Sequence, residues 1–202
     1  VMKQVNRVEG TAISMGRNLS FHPFIDLLKQ WARIRKDDDD IRAFGKLEAA
    51  VRILCPEDVA EIVPFLATLM GMKLSARYEQ RMKGIEGEAL EKLIRKNARA
   101  LFTRAAEMKP LVIIMEDLHW ADASSIELLE SLFRLAETQR ILFINVFRPG
   151  FQETGERIIE TIRDHAPEAV VYLCMEDDEI WDKALGFKPE DVGGLPHYLD
   201  MA

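Results

Sequence analysis

Leu111–Ser125, LVIIMEDLHWADASS, is the stretch whose reading decides the fold. It opens on an unbroken apolar run, Leu111 to Met115. The length and β-branching of that run fit a strand covered on both faces better than a helix. Glu116 and Asp117 end it. Burying unpaired carboxylates is expensive, so acids in this position sit at a sheet edge facing a cation or solvent. In an open parallel sheet, ligands bind beyond the carboxyl ends of the strands. One carboxylate there can hold Mg²⁺ through its water shell while its neighbour orients an attacking water. The plainer alternative is a strand that ends in a solvated acidic turn.

Downstream, Asp122 to Glu137 has the pattern of a helix. Ser124 and Glu127 stand at capping-box spacing, and Asp122 is an alternative cap. Ile141 to Phe147 (ILFINVF) reads as a second fully buried strand, Gly155 to Asp164 as a helix, and Ala169 to Cys174 (AVVYLC) as a third buried strand. Upstream, Val1 to Glu9 reads as the end of a helix stopped by Gly10. Thr11 to Met15 (TAISM) reads as a short strand. Phe21, Phe24, Leu27, Leu28, Trp31 and Ile34 share one face of a helix that KDDDD (Lys36–Asp40) ends. A second helix carries Ile41, Phe44, Leu47, Val51 and Leu54. A third covers Glu57 to Leu69, with Pro56 at its first turn. Gly71, Gly84 and Gly87 mark a loop, and Glu88 to Met108 is again helical, closed by Pro110.

Apolar strands separated by helices of about ten to fifteen residues are βαβ units, which give a parallel sheet with helices on both faces. The interval from about Phe21 to Met108 is almost wholly helical and reads as an insertion or lid on an α/β core. The reading therefore places an α/β core in residues 1–175 and the possible start of a helical subdomain in 176–202.

Composition sets bounds on function. The chain has 202 residues, 48% of them hydrophobic, which excludes bulk disorder. Lys and Arg number 27 against 34 Asp and Glu, a net charge of −7 that argues against generic nucleic-acid binding. Cys55 and Cys174, without CxxC spacing, fit reduced thiols of a cytoplasmic protein and not a disulfide scaffold. The longest apolar stretch, Ile62 to Met72, falls far below the roughly 20 residues of a spanning helix. The first residues, VMKQVNRVEG, are polar, lack a signal-peptide apolar region and do not begin with Met, so the expectation is a cut inside a longer protein. The histidines are scattered without HExxH spacing, and no GxSxG is present. The basic stretch from Arg95 to Arg104 reads as a solvated helix face.

LVIIMEDLHWAD resembles the Walker B segment of the STAND class of P-loop ATPases, relatives of AAA+ proteins. More narrowly, it is similar to the modules fused to adenylate or guanylate cyclases, Ser/Thr kinases and transcriptional regulators. The resemblance continues through ASSIELLESLFRLAE and ILFINVFRPG, and Gly194-Leu195-Pro196 is similar to the family's later GxP. It implies a P-loop NTPase core using ATP/ADP and Mg²⁺. Glu116 would be the Mg²⁺-associated acid, acting through water, and Asp117 the residue that polarises the attacking water. Asn145 and Arg148 would lie at the end of the next strand, Arg148 as sensor of the γ-phosphate and Pro196 near the adenine. Trp120 fits a packing residue, His119 a hydrogen-bonded structural histidine and Asp122 a helix cap.

A P-loop GxxxxGK[ST] is absent from residues 1–202; Gly84–Gly87 (GIEG) lacks the lysine and the following Ser/Thr. The family pattern places that motif just before Val1. The resemblance thus implies a slow regulatory ATPase module of a multidomain signalling protein, carrying the Walker B and sensor part. Attached signalling domains in the same chain and a nucleotide-dependent homo-oligomer are its implied partners, with no membrane or direct nucleic-acid contact. The alternative is a protein-interaction module on a degenerate NTPase fold that binds no nucleotide.

Overall fold

The computed structural model describes residues 5–14, 20–148 and 151–165. Three strands, β1 (Asn6–Thr11), β2 (Leu111–Glu116) and β3 (Ile141–Asn145), form a parallel sheet in the order β1-β2-β3. The α/β class with a parallel sheet stands as read from the sequence. Asn6 pairs with Leu111 and Thr11 with Glu116 on one side of β2; Leu111 pairs with Ile141 and Met115 with Asn145 on the other.

The first strand lies earlier than the sequence reading placed it. Asn6–Thr11 is extended, so residues 5–9 are not a helix end, and Thr11 closes the strand instead of opening one. Gly10 acts through its missing side chain. A Cβ there would lie 2.2 Å from the Pro23 carbonyl oxygen and 3.2 Å from Leu27 Cβ. Gly10 is therefore the point where helix α1 (His22–Trp31) lies directly on β1. The expected strand Ala169–Cys174 lies outside the described residues.

The helical interval between β1 and β2 contains five helices among the described residues. After α1 come α2 (Asp40–Leu54), α3 (Val59–Leu69), α4 (Ala76–Met82) and α5 (Gly87–Met108). KDDDD does not end α1, which stops at Trp31. Asp39 of that run instead caps α2, its carboxylate accepting the Arg42 N–H at 2.8 Å. Pro56 lies outside α3, and Pro64 lies within it. α4 forms where the glycines pointed to a loop. α3 is buried nearly all round, through Ile62, Val63, Phe65, Leu66 and Ala67, so it is the centre of this helical layer. Glu48 of α2 pairs with Arg52 on its own helix and with Arg77 of α4. Burial pushes the Glu48 carboxyl up, but its bonds to Arg77 and Arg52 outweigh that and hold it below the usual range.

Beyond β2, α6 (Ala123–Phe133) passes into a 3₁₀ turn, Arg134–Glu137. Beyond β3, a π turn at Gln152–Glu156 leads into α7 (Arg157–His165). The basic residues of α5 do more than face solvent. Arg95 pairs with Glu127 of α6 at 2.8 Å, and Arg99 donates to the Ser131 carbonyl at 2.5 Å. Arg157 makes two 2.7 Å bonds to Glu130, which tie α7 to α6.

Among the described residues the helices pack against one face of the sheet. Leu111, Ile113 and Met115 point to one face and are 3%, 0% and 0% exposed within the core. Val112 and Ile114 point to the other face and are only half-buried. Leu142, Ile144 and Val146, on that same second face, are 57%, 42% and 49% exposed. The described helices thus cover one face, and β3 is not the fully buried strand its composition suggested. Among the described residues no helix is long and apolar enough to cross a membrane.

Two outcomes test this packing. Gly10→Ala should cost about 2–3 kcal/mol of unfolding free energy, because backbone and not a flexible side-chain end must move; a urea midpoint at the parental value would contradict the contact. Because the Glu48 carboxyl is held down in the folded state, its contribution is present above the unfolded pKa and fades as pH falls through the folded value. Glu48→Gln should therefore destabilise at pH 7, and the gap to the parent should narrow as pH falls below the ordinary glutamate range.

Candidate functional site at the carboxyl edge of the sheet

β2 is central because hydrogen bonds hold it on both sides, and these bonds continue to its last residue. Ala12 N–H donates to Glu116 O at 2.9 Å and Val146 N–H to Met115 O at 2.8 Å. Strand alternation sets Glu116 on the face of Val112 and Ile114, in register with Thr11. Asn145 is in register with Met115, on the packed face. Glu116 and Asn145 thus end neighbouring strands at one edge, on opposite faces of the sheet.

The chain turns sharply after Glu116. Asp117 has φ 54° and ψ 33°, the left-handed region that Asp tolerates better than most residues, and its side chain is exposed. The 3₁₀ turn Leu118–Trp120 follows, held by Trp120 N–H on Asp117 O at 2.9 Å and Ala121 N–H on Leu118 O at 3.0 Å. Leu118 is buried and anchors the turn in the core.

Asp122 then starts α6. Its carboxylate accepts the Ser125 N–H at 3.0 Å and the Ser125 hydroxyl. The capping box anticipated from Ser124 and Glu127 does not form. Asp122 also accepts the backbone N–H of Phe21 at 3.1 Å, from the far end of the helical insertion. Phe21 is itself left-handed, with φ 64°, immediately before α1. His22 Nδ1 donates to the Thr11 carbonyl at 3.2 Å, and Thr11 N–H reaches Asp26 Oδ2 at 3.3 Å.

The segment after β3 faces this turn. Leu118 N–H donates to Val146 O at 3.0 Å, and Arg148 N–H to His119 Nδ1 at 3.4 Å. The Arg148 side chain is exposed. The rings of His119, Trp120 and Phe151 form a cluster with centroid separations of 4.9–5.7 Å. The structure therefore brings Glu116, Asp117, Asn145 and Arg148 to one edge; Pro196 lies outside the described residues. The contacts of Asp122 with Phe21 and of His119 with Arg148 carried no sequence signal. Their partners are backbone N–H groups, which no residue pattern marks.

Among the described residues no group of three or more His, Cys, Asp or Glu could hold a metal ion by itself. Mg²⁺ in phosphate chemistry takes one or two carboxylates and completes its octahedron with water and phosphate oxygens. Glu116, acting through a bound water, fits that arrangement, and the exposed Asp117 beside it is left to face an attacking water. Asn145 Oδ1, buried without a hydrogen-bond partner among the described residues, is an acceptor open to a ligand or water.

Asp122 gives a direct test of how this edge is held. Asp122→Ala removes the α6 cap and leaves the Phe21 N–H without its acceptor, so it should cost about 2–3 kcal/mol. Asp122→Asn keeps an acceptor oxygen and should recover more than half of the loss. Denaturant melts of the two variants read this directly, and equal losses would show that acceptor geometry is not what Asp122 supplies.

A family model described as an AAA ATPase domain matches residues 1–144. No curated protein and no solved structure matches the chain. The match spans β1, β2 with the paired acids at its end, and β3 up to Ile144, and the parallel sheet with flanking helices is consistent with a P-loop NTPase core. The chain belongs to the AAA ATPase domain family.

Proposed function

We propose that this ATPase domain is a regulatory module of a multidomain signalling protein, of the STAND type, in which bound ATP or ADP sets the arrangement of attached domains. The observation that carries the reading is the acid pair at the carboxyl end of the central strand, with Asp117 turned outward by a left-handed backbone. In this reading Glu116 holds Mg²⁺ through a bound water. Asp117 accepts a proton from, and so polarises, the water that attacks the γ-phosphate. Arg148 pairs with γ-phosphate oxygens, Asn145 offers its amide to the same region, and Pro196 lies near the adenine. When bound, the metal supplies neutralisation of charge on the phosphates.

A ligand shifts a conformational equilibrium only by its differential affinity for the two states. Arg148 contributes such a difference, because its guanidinium has a partner in ATP that ADP lacks. Turnover is slow in this reading, since hydrolysis resets a switch. Signalling domains in the same chain, and a second copy in a nucleotide-dependent homo-oligomer, are the partners, and the compartment is the cytoplasm.

The test uses the full-length gene product. Asp117→Asn should keep Mg·ATP affinity and slow hydrolysis by about 10²-fold or more. Glu116→Gln should weaken Mg²⁺-dependent binding. A thermal-shift series in Mg·ATP reads binding separately, since ligand at 100 times its Kd adds about 2.7 kcal/mol. No nucleotide-dependent shift in the parental protein would replace this reading with that of a protein-interaction module on an NTPase fold.

A further inference from the structure

His119 is the most buried polar side chain among the described residues, at 0% exposure. It lies two residues beyond Asp117 and carries the bond to the Arg148 backbone. A backbone N–H can only donate, so His119 Nδ1 is the acceptor at 3.4 Å and the ring proton sits on Nε2.

The reason for this bond lies in the ladder. Bonds in a parallel pair are evenly spaced. After Val146 N–H reaches Met115 O, a regular ladder would next join Asp117 N–H to Val146 O and then Arg148 N–H to Asp117 O. The left-handed turn at Asp117 breaks that order. Leu118 N–H, one residue late, reaches Val146 O at 3.0 Å, and Asp117 O is taken by Trp120 N–H at 2.9 Å. Arg148 N–H thus loses its ladder acceptor, and the His119 imidazole stands in for it. Trp120 and Phe151, with ring centroids 4.9 and 5.0 Å from that imidazole, restrict its rotation.

We propose that His119 is a positioning residue for Arg148. Its Nδ1 lets Asp117 leave the ladder without releasing the arginine, so that the outward carboxylate and the guanidinium stay at one site. The inference rests on the reading of Arg148 as the γ-phosphate sensor. It adds that the sensor's backbone is held by a side chain of the Walker B turn, which makes discrimination between ATP and ADP a joint property of His119 and Arg148.

The experiment titrates Mg·ATP and Mg·ADP into the full-length gene product and its variants by calorimetry. His119→Phe keeps a ring and removes the acceptor. It should lower the ATP-to-ADP affinity ratio about tenfold, as Arg148→Ala does, while ADP affinity stays within about twofold. The double variant should lose no more than Arg148→Ala alone. His119→Asn places an oxygen near the Nδ1 position and should restore most of the ratio, which a merely structural role would not produce. Should His119→Phe fail to fold, nitrogen chemical shifts of the parental protein report the tautomer, with Nδ1 unprotonated as the expected result. An Nδ1–H tautomer, or a His119→Phe protein that keeps the ratio while Arg148→Ala loses it, overturns the positioning role and leaves the sensor standing. An unchanged ratio in Arg148→Ala overturns the sensor reading and the inference together.

Discussion

The structure depends on β2 being bonded on both sides in parallel. A parallel neighbour cannot be reached by a tight turn; the chain must leave the sheet, cross it and return. Between β1 and β2 the described part of that crossing holds five helices, from His22 to Met108. The helical layer is therefore the connection that the parallel register requires, expanded until it has its own centre in α3. The register has a second consequence. Parallel strands all end at the same edge, so Thr11, Glu116 and Asn145 arrive together although they come from distant parts of the sequence. A ligand site at that edge needs no further instruction than the order of the strands.

Much of this was legible in the sequence, for a physical reason. LVIIM followed by two acids combines an apolar strand with groups that cannot be buried unpaired, so both the strand and its solvent-facing end follow from composition. The helices with strong apolar periodicity, α1, α2 and α5, were readable for the same reason. The start of β1 was not. NRVEGT has only one large apolar residue, Val8, and its strand state is imposed by pairing with β2 and by the contact of Gly10 with Pro23. α4 was hidden because its sequence, ARYEQRM, buries only Tyr78. ILFINVF misled in the opposite direction. Its composition is that of a strand covered on both faces, while the described helices cover only one.

At the site, residue types were legible and connections were not. Glu116 and Asp117 declare themselves by charge after an apolar run, and Asp122 by its place before a helix. What the sequence conceals is that side chains from this short turn satisfy backbone groups elsewhere: Asp122 the N–H of Phe21, and His119 that of Arg148. A backbone N–H is the same at every residue except proline, so nothing in the composition marks where a missing acceptor will be supplied.

Phe21 and Asp117 are two of the three non-glycine residues with positive φ among the described residues, and both border the carboxyl edge. Such backbone costs of order 1–3 kcal/mol at each position and persists only where surrounding contacts over-determine it. Those contacts are visible here. Phe21 is buried and its N–H is held by Asp122; Asp117 is flanked by the buried Leu118 and the buried His119. The third, Arg33, has a different origin. Its N–H bonds Gln30 O at 3.0 Å and Ile34 N–H bonds Lys29 O at 2.8 Å, the ordinary left-handed end of a helix, here of α1. Asp122 of the Leu118–Asp122 turn holds the Phe21 N–H, and His119 of the same turn holds the Arg148 N–H that the distortion at Asp117 leaves without its ladder acceptor, so that turn supports both sides of the edge. Movement of the turn would change the Phe21 N-terminus of α1 and the Arg148 backbone together. The acid pair at the end of β2 is thus joined mechanically both to the helical layer and to the segment that follows β3.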